Sequence, residues 1–179
     1  PAWFARYMAG MPKTYFLANQ GSSIAAHGVV VFRRKDAPVI VDVVPSRHPD
    51  AIELCIAADD RPGLLASFAA ALAANRLDVL TAHIFLRPLT DAEDGPVEAV
   101  DLFSVRRAAR EGDEATLPPT ARELARLADD LHGLITGRIS PDALLRERRG
   151  GSSTLRERPA PAVATGVEID DRASRKFTV

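Results

Sequence analysis

A single cysteine, Cys55, stands in 179 residues. That excludes an intrachain disulfide and a thiolate metal quartet, and it fits a reducing cytoplasm. Charge of neither sign dominates: 23 Lys and Arg against 24 Asp and Glu leave a net charge of -1. Nothing in that balance calls for nucleic acid or an anionic membrane as partner. No apolar run of the roughly 18 residues that a membrane-crossing helix needs occurs. The opening Pro1-Ala2-Trp3-Phe4-Ala5-Arg6 has neither an initiating Met nor a signal-peptide pattern, so the chain reads as cut from something longer. Aromatics are few, ten in all, and three of them, Trp3, Phe4 and Tyr7, fall on one side of a helical turn that needs a surface to bury against. The four histidines, His27, His48, His83 and His132, lie on separate segments without ligand spacing, so no metal site is expected. What remains is globular in composition, 46% hydrophobic and 26% charged, and long enough for one domain with appendages.

The most informative stretch runs from Ile52 to Asn75. Ile52, Leu54 and Ile56 alternate with Glu53 and Cys55, which at period two puts three large apolar side chains on one face of a strand. Past Asp59-Asp60-Arg61-Pro62-Gly63, Leu64, Leu65, Phe68 and Leu72 recur at helical spacing. Asp59 or Asp60 is placed to cap that helix, Pro62 suits its first turn, and Gly63 removes a side chain where the backbone must bend or meet a ligand. A cluster of backbone N–H groups at a helix start attracts carboxylates. The N–H groups at Gly63, Leu64 and Leu65 are therefore suited to hold the carboxylate of an amino acid, and Asp59 or Asp60 its ammonium.

In chain order, Ser22 or Ser23 offers an N-cap for a helix through Ile24, His27, Val30 and Phe32 that ends before Pro38. Residues 38–44, rich in Val and Ile, read as a strand. After the Ile52–Arg76 unit, residues 77–87 read as a second strand with apolar groups on both faces, which calls for a further sheet or domain against its open side. Residues 88–96 form a hairpin loop and residues 97–107 an antiparallel third strand. Pro118-Pro119-Thr120 opens a helix striped by Leu124, Leu127, Leu131 and Leu134, and Gly137 ends it. Ile139 then begins either a short closing strand or a further turn. Small and polar residues dominate 150–166, a linker, before Val167, Ile169, Phe177 and Val179 restore strand-like text.

Asp60-Arg61-Pro62-Gly63-Leu64-Leu65 after an apolar strand resembles the signature of ACT domains. With Tyr15-Phe16-Leu17, Ile24-Ala25-Ala26-His27 and Ala173-Ser174-Arg175-Lys176-Phe177-Thr178-Val179, it resembles in order the C-terminal third of the protein-PII uridylyltransferase/uridylyl-removing family. The resemblance implies an α+β fold: a ferredoxin-like βαββαβ ACT domain with an N-terminal helical tail, a C-terminal linker and the start of a second ACT domain. It divides the chain into residues 1–37, the end of an HD-type domain and a connecting helix; 38–140, the first ACT domain; 141–165, a linker; and 166–179, the first strand of a truncated second ACT domain. It also implies a glutamine-sensing role, with Asp59, Asp60, Arg61, Pro62, Gly63, Leu64 and Leu65 lining an effector site that a neighbouring ACT domain completes. PII is the substrate of the parent, and Mg or Mn serves catalytic domains outside this segment, which itself carries no catalytic residue, cofactor or metal. The Trp3-Phe4-Tyr7 turn belongs either to the HD domain or, docked, to the core here.

Two rivals stand beside this reading: an amino-acid-binding ACT module of another enzyme, and a ferredoxin-like interaction domain whose open sheet face binds protein and no small molecule. His83 is within reach of that open face. Gly150-Gly151-Ser152-Ser153 is only superficially like a nucleotidyltransferase Gly-Ser, since no pair of metal-binding carboxylates follows it. Arg146, Arg148, Arg149, Arg156 and Arg158 read as a solvated segment, and Cys55 as an inert core or interface side chain.

Overall fold

A four-stranded antiparallel sheet carries helices on both faces in the computed structural model, which describes residues 1–46, 51–107 and 119–149. Three helices come first: α1 (Ala2–Gly10), α2 (Lys13–Ala18) and α3 (Gly21–Arg34). There follow β1 (Val39–Val44), β2 (Ile52–Asp59), α4 (Leu64–Ala74), β3 (Leu77–Pro88), β4 (Val97–Arg107), α5 (Ala121–Ile135) and α6 (Pro141–Arg149). The strands lie in the order β1-β2-β4-β3.

The period-two pattern of β2 sorts its side chains between two cores. Leu54, Ile56 and Ala58 pack beneath Leu64, Phe68 and Leu72 of α4 and Leu127 and Leu131 of α5, with Phe68 edge-on to Phe103 of β4 at 6.2 Å. Each such fully buried Leu or Phe contributes roughly 1.5–3 kcal/mol by leaving water. Cys55 and Ala57 point the other way, where Val100 and Leu102 of β4 meet Tyr7, Tyr15, Ile24 and Val31 of the first three helices. The second face of the sheet is thus covered from within the chain. Tyr7 is 2% exposed, so the aromatic turn of α1 is docked on this core. Gly28 permits the close crossing of α1 and α3, because a Cβ there would stand 2.7 Å from the Phe4 ring.

The hairpin forms as expected, β3 pairing with β4 from Leu77↔Arg107 to Pro88↔Val97 around a bulge between Val79 and Thr81. So does the α5 stripe, opened by a capping box in which Thr120 and Glu123 satisfy each other's backbone N–H groups.

Three expectations need correction. A βαββαβ order requires a last strand after α5, but among the described residues none follows it, and the place beside β2 is held by β1. The reason is length. Gly137, with φ +73°, reverses the chain, Ile139 N–H bonds back to Gly133 O at 3.2 Å, and α6 starts at Pro141, leaving no span to cross the sheet. Nor does a linker begin at 141: α6 inserts Leu144, 1% exposed, into the α4–α5 core, and Arg148 donates to Asp130 Oδ1 at 2.6 Å. Finally, α3 and α4 are not capped by Ser22, Ser23, Asp59 or Asp60; their N-cap residues are Gln20 and Gly63, without a side-chain cap bond. The rest of the expected linker and the expected strand over 166–179 lie outside the described residues.

Candidate functional site

The turn between β2 and α4 divides its residues between the two faces of the sheet. Asp60 N–H bonds Val97 O at 2.8 Å, holding the turn to the start of β4. Gly63 adopts φ +81°, the left-handed region that a side chain disfavours, and a Cβ there would meet nothing within 4 Å. Leu64 is buried in the α4 core, Leu65 is 51% exposed, and Arg61 reaches Leu134 O with Nη2 at 3.4 Å. Leu64 N–H bonds Arg61 O, and Ser67 N–H bonds Gly63 O. Among the described residues this leaves the N–H groups of Leu65 and Ala66 without a backbone acceptor, open to an anion at the helix start. Pro62 is exposed in the turn ahead of the helix.

Asp59 does not join them. It ends β2 directly opposite Glu98 of β4, and its Oδ1 accepts from Arg34 Nη2 at 2.6 Å. Arg34, at the end of α3 and 7% exposed, also donates Nη1 to Glu98 Oε1 at 2.6 Å and Nε to Ala37 O at 2.9 Å. Glu98, 3% exposed, takes Arg87 Nε on its second oxygen at 2.6 Å. The Arg87 guanidinium lies 5.5 Å above the Tyr7 ring. Burial works against the charge of Arg34, but its hydrogen bonds to Asp59 and Glu98 outweigh that, and its pKa is raised. A buried ion set this well satisfied can persist, whereas removing one member strands the others. Nothing in the sequence pattern marks Arg34, Glu98 or Arg87 as site residues. The Arg87–Glu98 pair follows from hairpin register, but Arg34 and Glu98 are 64 residues apart with no local pattern to join them.

These groups border a cleft of about 900 Å³ between the first helices and the ends of β2, β3 and β4. Trp3 and Phe32, stacked at 4.5 Å, form part of its wall.

A second polar chain runs through the core on the same side. Tyr7 and Tyr15 share a hydrogen bond of 2.7 Å, Tyr15 reaches His27 Nδ1 at 2.8 Å, and His27 Nε2 stands 3.7 Å from Glu53 Oε1 without a hydrogen-bond partner. Only one ring nitrogen of His27 is therefore satisfied. Burial raises the pKa of both tyrosines, and burial with nearby carboxylates raises that of Cys55, leaving it an inert thiol. On the opposite face Asp101, 1% exposed, has one oxygen unpartnered. Burial, then the charge of Asp60, push its carboxyl from 3.8 up to about 7, against a backbone hydrogen bond from Phe85. His83 is exposed and stacks parallel to Phe85. No group of three or more His, Cys, Asp or Glu is arranged to hold a metal ion among the described residues. No helix among them is long and apolar enough to cross a membrane.

No protein-family model matches the chain. Curated relatives do. A bifunctional uridylyltransferase/uridylyl-removing enzyme of Rhodospirillum rubrum is 29% identical over 177 residues, 97% of this chain and 17% of the relative. The enzyme of the same description from Caulobacter vibrioides is 32% identical over 180 aligned positions, again 97% and 17%. That from Streptomyces coelicolor is 36% identical over 134 residues, 74% of this chain and 14% of the relative. Over nearly its whole length, then, the chain is homologous to a segment of the bifunctional uridylyltransferase/uridylyl-removing enzymes, a segment spanning 17% of those relatives.

Proposed function

We infer that the chain is an ACT-type regulatory region that senses a free amino acid, glutamine first, on behalf of an enzyme of this kind. In the parent, uridylyl is transferred from UTP to a tyrosine of PII when glutamine is scarce and removed when it is plentiful. Mg or Mn serves catalytic domains outside these residues, and the setting is cytoplasmic. The observation that carries the reading is the extent of the similarity, which takes in 97% of the chain, to enzymes described as both uridylyltransferase and uridylyl-removing. The cleft bordered by Asp59, Arg87 and Glu98 supports it, because it presents charges of both signs to a small zwitterionic ligand. For such a ligand to regulate, it must bind one activity state better than the other.

A second ACT domain is the expected partner, and β3 supports that. It is an edge strand of 12 residues on which Val79, Ile84 and Leu86 are each nearly half exposed on the α4 side. The same edge favours the rival reading of a pure interaction domain. Thermal unfolding of the chain separates them. Glutamine at about a hundredfold excess over its dissociation constant is expected to add about 2.7 kcal/mol of stability. Protection by a different amino acid would move the chain to another amino-acid-responsive enzyme. Protection by none of the twenty would leave the interaction domain.

A further inference from the structure

Within the Arg34–Glu98 network every side-chain nitrogen of Arg34 and both carboxylate oxygens of Glu98 have a partner, and the atoms around them that have none carry opposite charge. Arg34 spends Nε, Nη1 and Nη2 on Ala37, Glu98 and Asp59, and Glu98 spends both oxygens on Arg34 and Arg87. The atoms with no hydrogen-bond partner among the described residues are Nη1 and Nη2 of Arg87 and the second oxygen of Asp59. Both residues line the same cleft. Arg87 is also preset: Nε is tied to Glu98 and its plane rests on Tyr7, so the open edge is a fixed fork suited to a carboxylate. The cleft is charge-balanced overall, with Arg6, Arg34, Lys35 and Arg87 set against Asp36, Asp59, Asp91 and Glu98. That balance disfavours a polyanion such as a nucleotide and favours a molecule that carries one charge of each sign.

We propose that this cleft is the amino-acid site, with the α-carboxylate on the Arg87 fork and the α-ammonium on Asp59. The inference rests on the amino-acid-sensing reading and assigns it a location. It sets the ligand on the α1–α3 side of the sheet, away from the open N–H groups at α4. Trp3 and Phe32 supply an apolar wall for the ligand side chain, and the two charges sit at the ends of strands of one sheet. Arg34 occupies only Oδ1 of Asp59, so Oδ2 accepts the ammonium without disturbing the network.

Calorimetry on the full chain tests this with L-glutamine, with 4-carbamoylbutanoic acid, which lacks the α-amine, and with glutamine α-methyl ester, which lacks the carboxylate charge. The wild type is expected to bind glutamine about tenfold or more tightly than either analogue. Asp59→Asn should erase the preference over the deaminated analogue only, and Arg87→Gln the preference over the ester only. Arg87→Lys keeps a cation beside Glu98 and loses the fork. It should weaken glutamine about tenfold with an unchanged melting curve, which keeps the test valid even if Arg87→Gln unfolds. Wild-type affinity in Asp59→Asn and Arg87→Lys would overturn the cleft while leaving amino-acid sensing intact. No binding of any amino acid by the wild type would overturn both.

Discussion

Asp101 is the group whose environment bears most directly on stability. Its carboxyl is buried under α4 with one oxygen unpartnered, and its pKa is lifted from 3.8 to about 7 by burial and by Asp60. Below the unfolded value both states hold the proton. As pH rises from there the unfolded chain releases it while the folded chain keeps it, so stability falls, and the loss is complete once pH has passed through about 7. A rise of that size corresponds to on the order of 4 kcal/mol. Asp101→Asn has nothing to ionise. Denaturant unfolding of both proteins is therefore expected to show the variant gaining on the wild type by a few kcal/mol between about pH 4 and pH 8, and parallel curves would contradict the assignment. None of this was legible in the sequence, where Asp101 is one acid in an apolar strand. Asp59 was legible as a site residue because the period changes beside it, but its partner Arg34 was not, because a pairing across 25 residues leaves no periodic trace.

The elements divide in the same way. β2, α4, the β3–β4 hairpin and α5 could be read because each carries its own pattern: alternation, a 3.6-residue stripe, a turn-rich loop or a leucine ladder. The partner of β2 could not, since residues 38–44 and the text around Ile139 are both short apolar runs and only the tertiary fold chooses between them. Helix α6 was hidden by composition. Pro141-Asp142-Ala143-Leu144-Leu145-Arg146-Glu147-Arg148-Arg149 is mostly charged and passes for the start of a linker. Yet Ser140 Oγ accepts from Ala143 N–H at 3.2 Å, and Leu144 is 1% exposed against α4 and α5. If α6 belongs to the domain, Leu144→Ala leaves a cavity and costs about 2–5 kcal/mol in an unfolding titration. A loss below about 0.5 kcal/mol, the range of surface substitutions, would show α6 to be an appendage after all.

Taken together, the helices ahead of β1 and the sheet behave as one unit with a charged seam between them. Tyr7 of α1, Arg34 of α3, Asp59 of β2, Arg87 of β3 and Glu98 of β4 all meet at one cleft. A ligand bound there touches the strands on one side and the first helices on the other. A difference in affinity between two arrangements of those helices would then suffice to convert amino-acid concentration into a change of state. In enzymes about six times longer than this chain, such a change would be read by domains elsewhere in the protein. The direct measurement is an amide and arginine-Nε NMR titration of the full chain with L-glutamine. Saturable shifts concentrated at Arg34, Asp59, Arg87 and Glu98, with the Arg87 Nε signal among the most affected, are predicted. Shifts confined to Gly63, Leu65 and Ala66, or none at all, would contradict a ligand in the cleft.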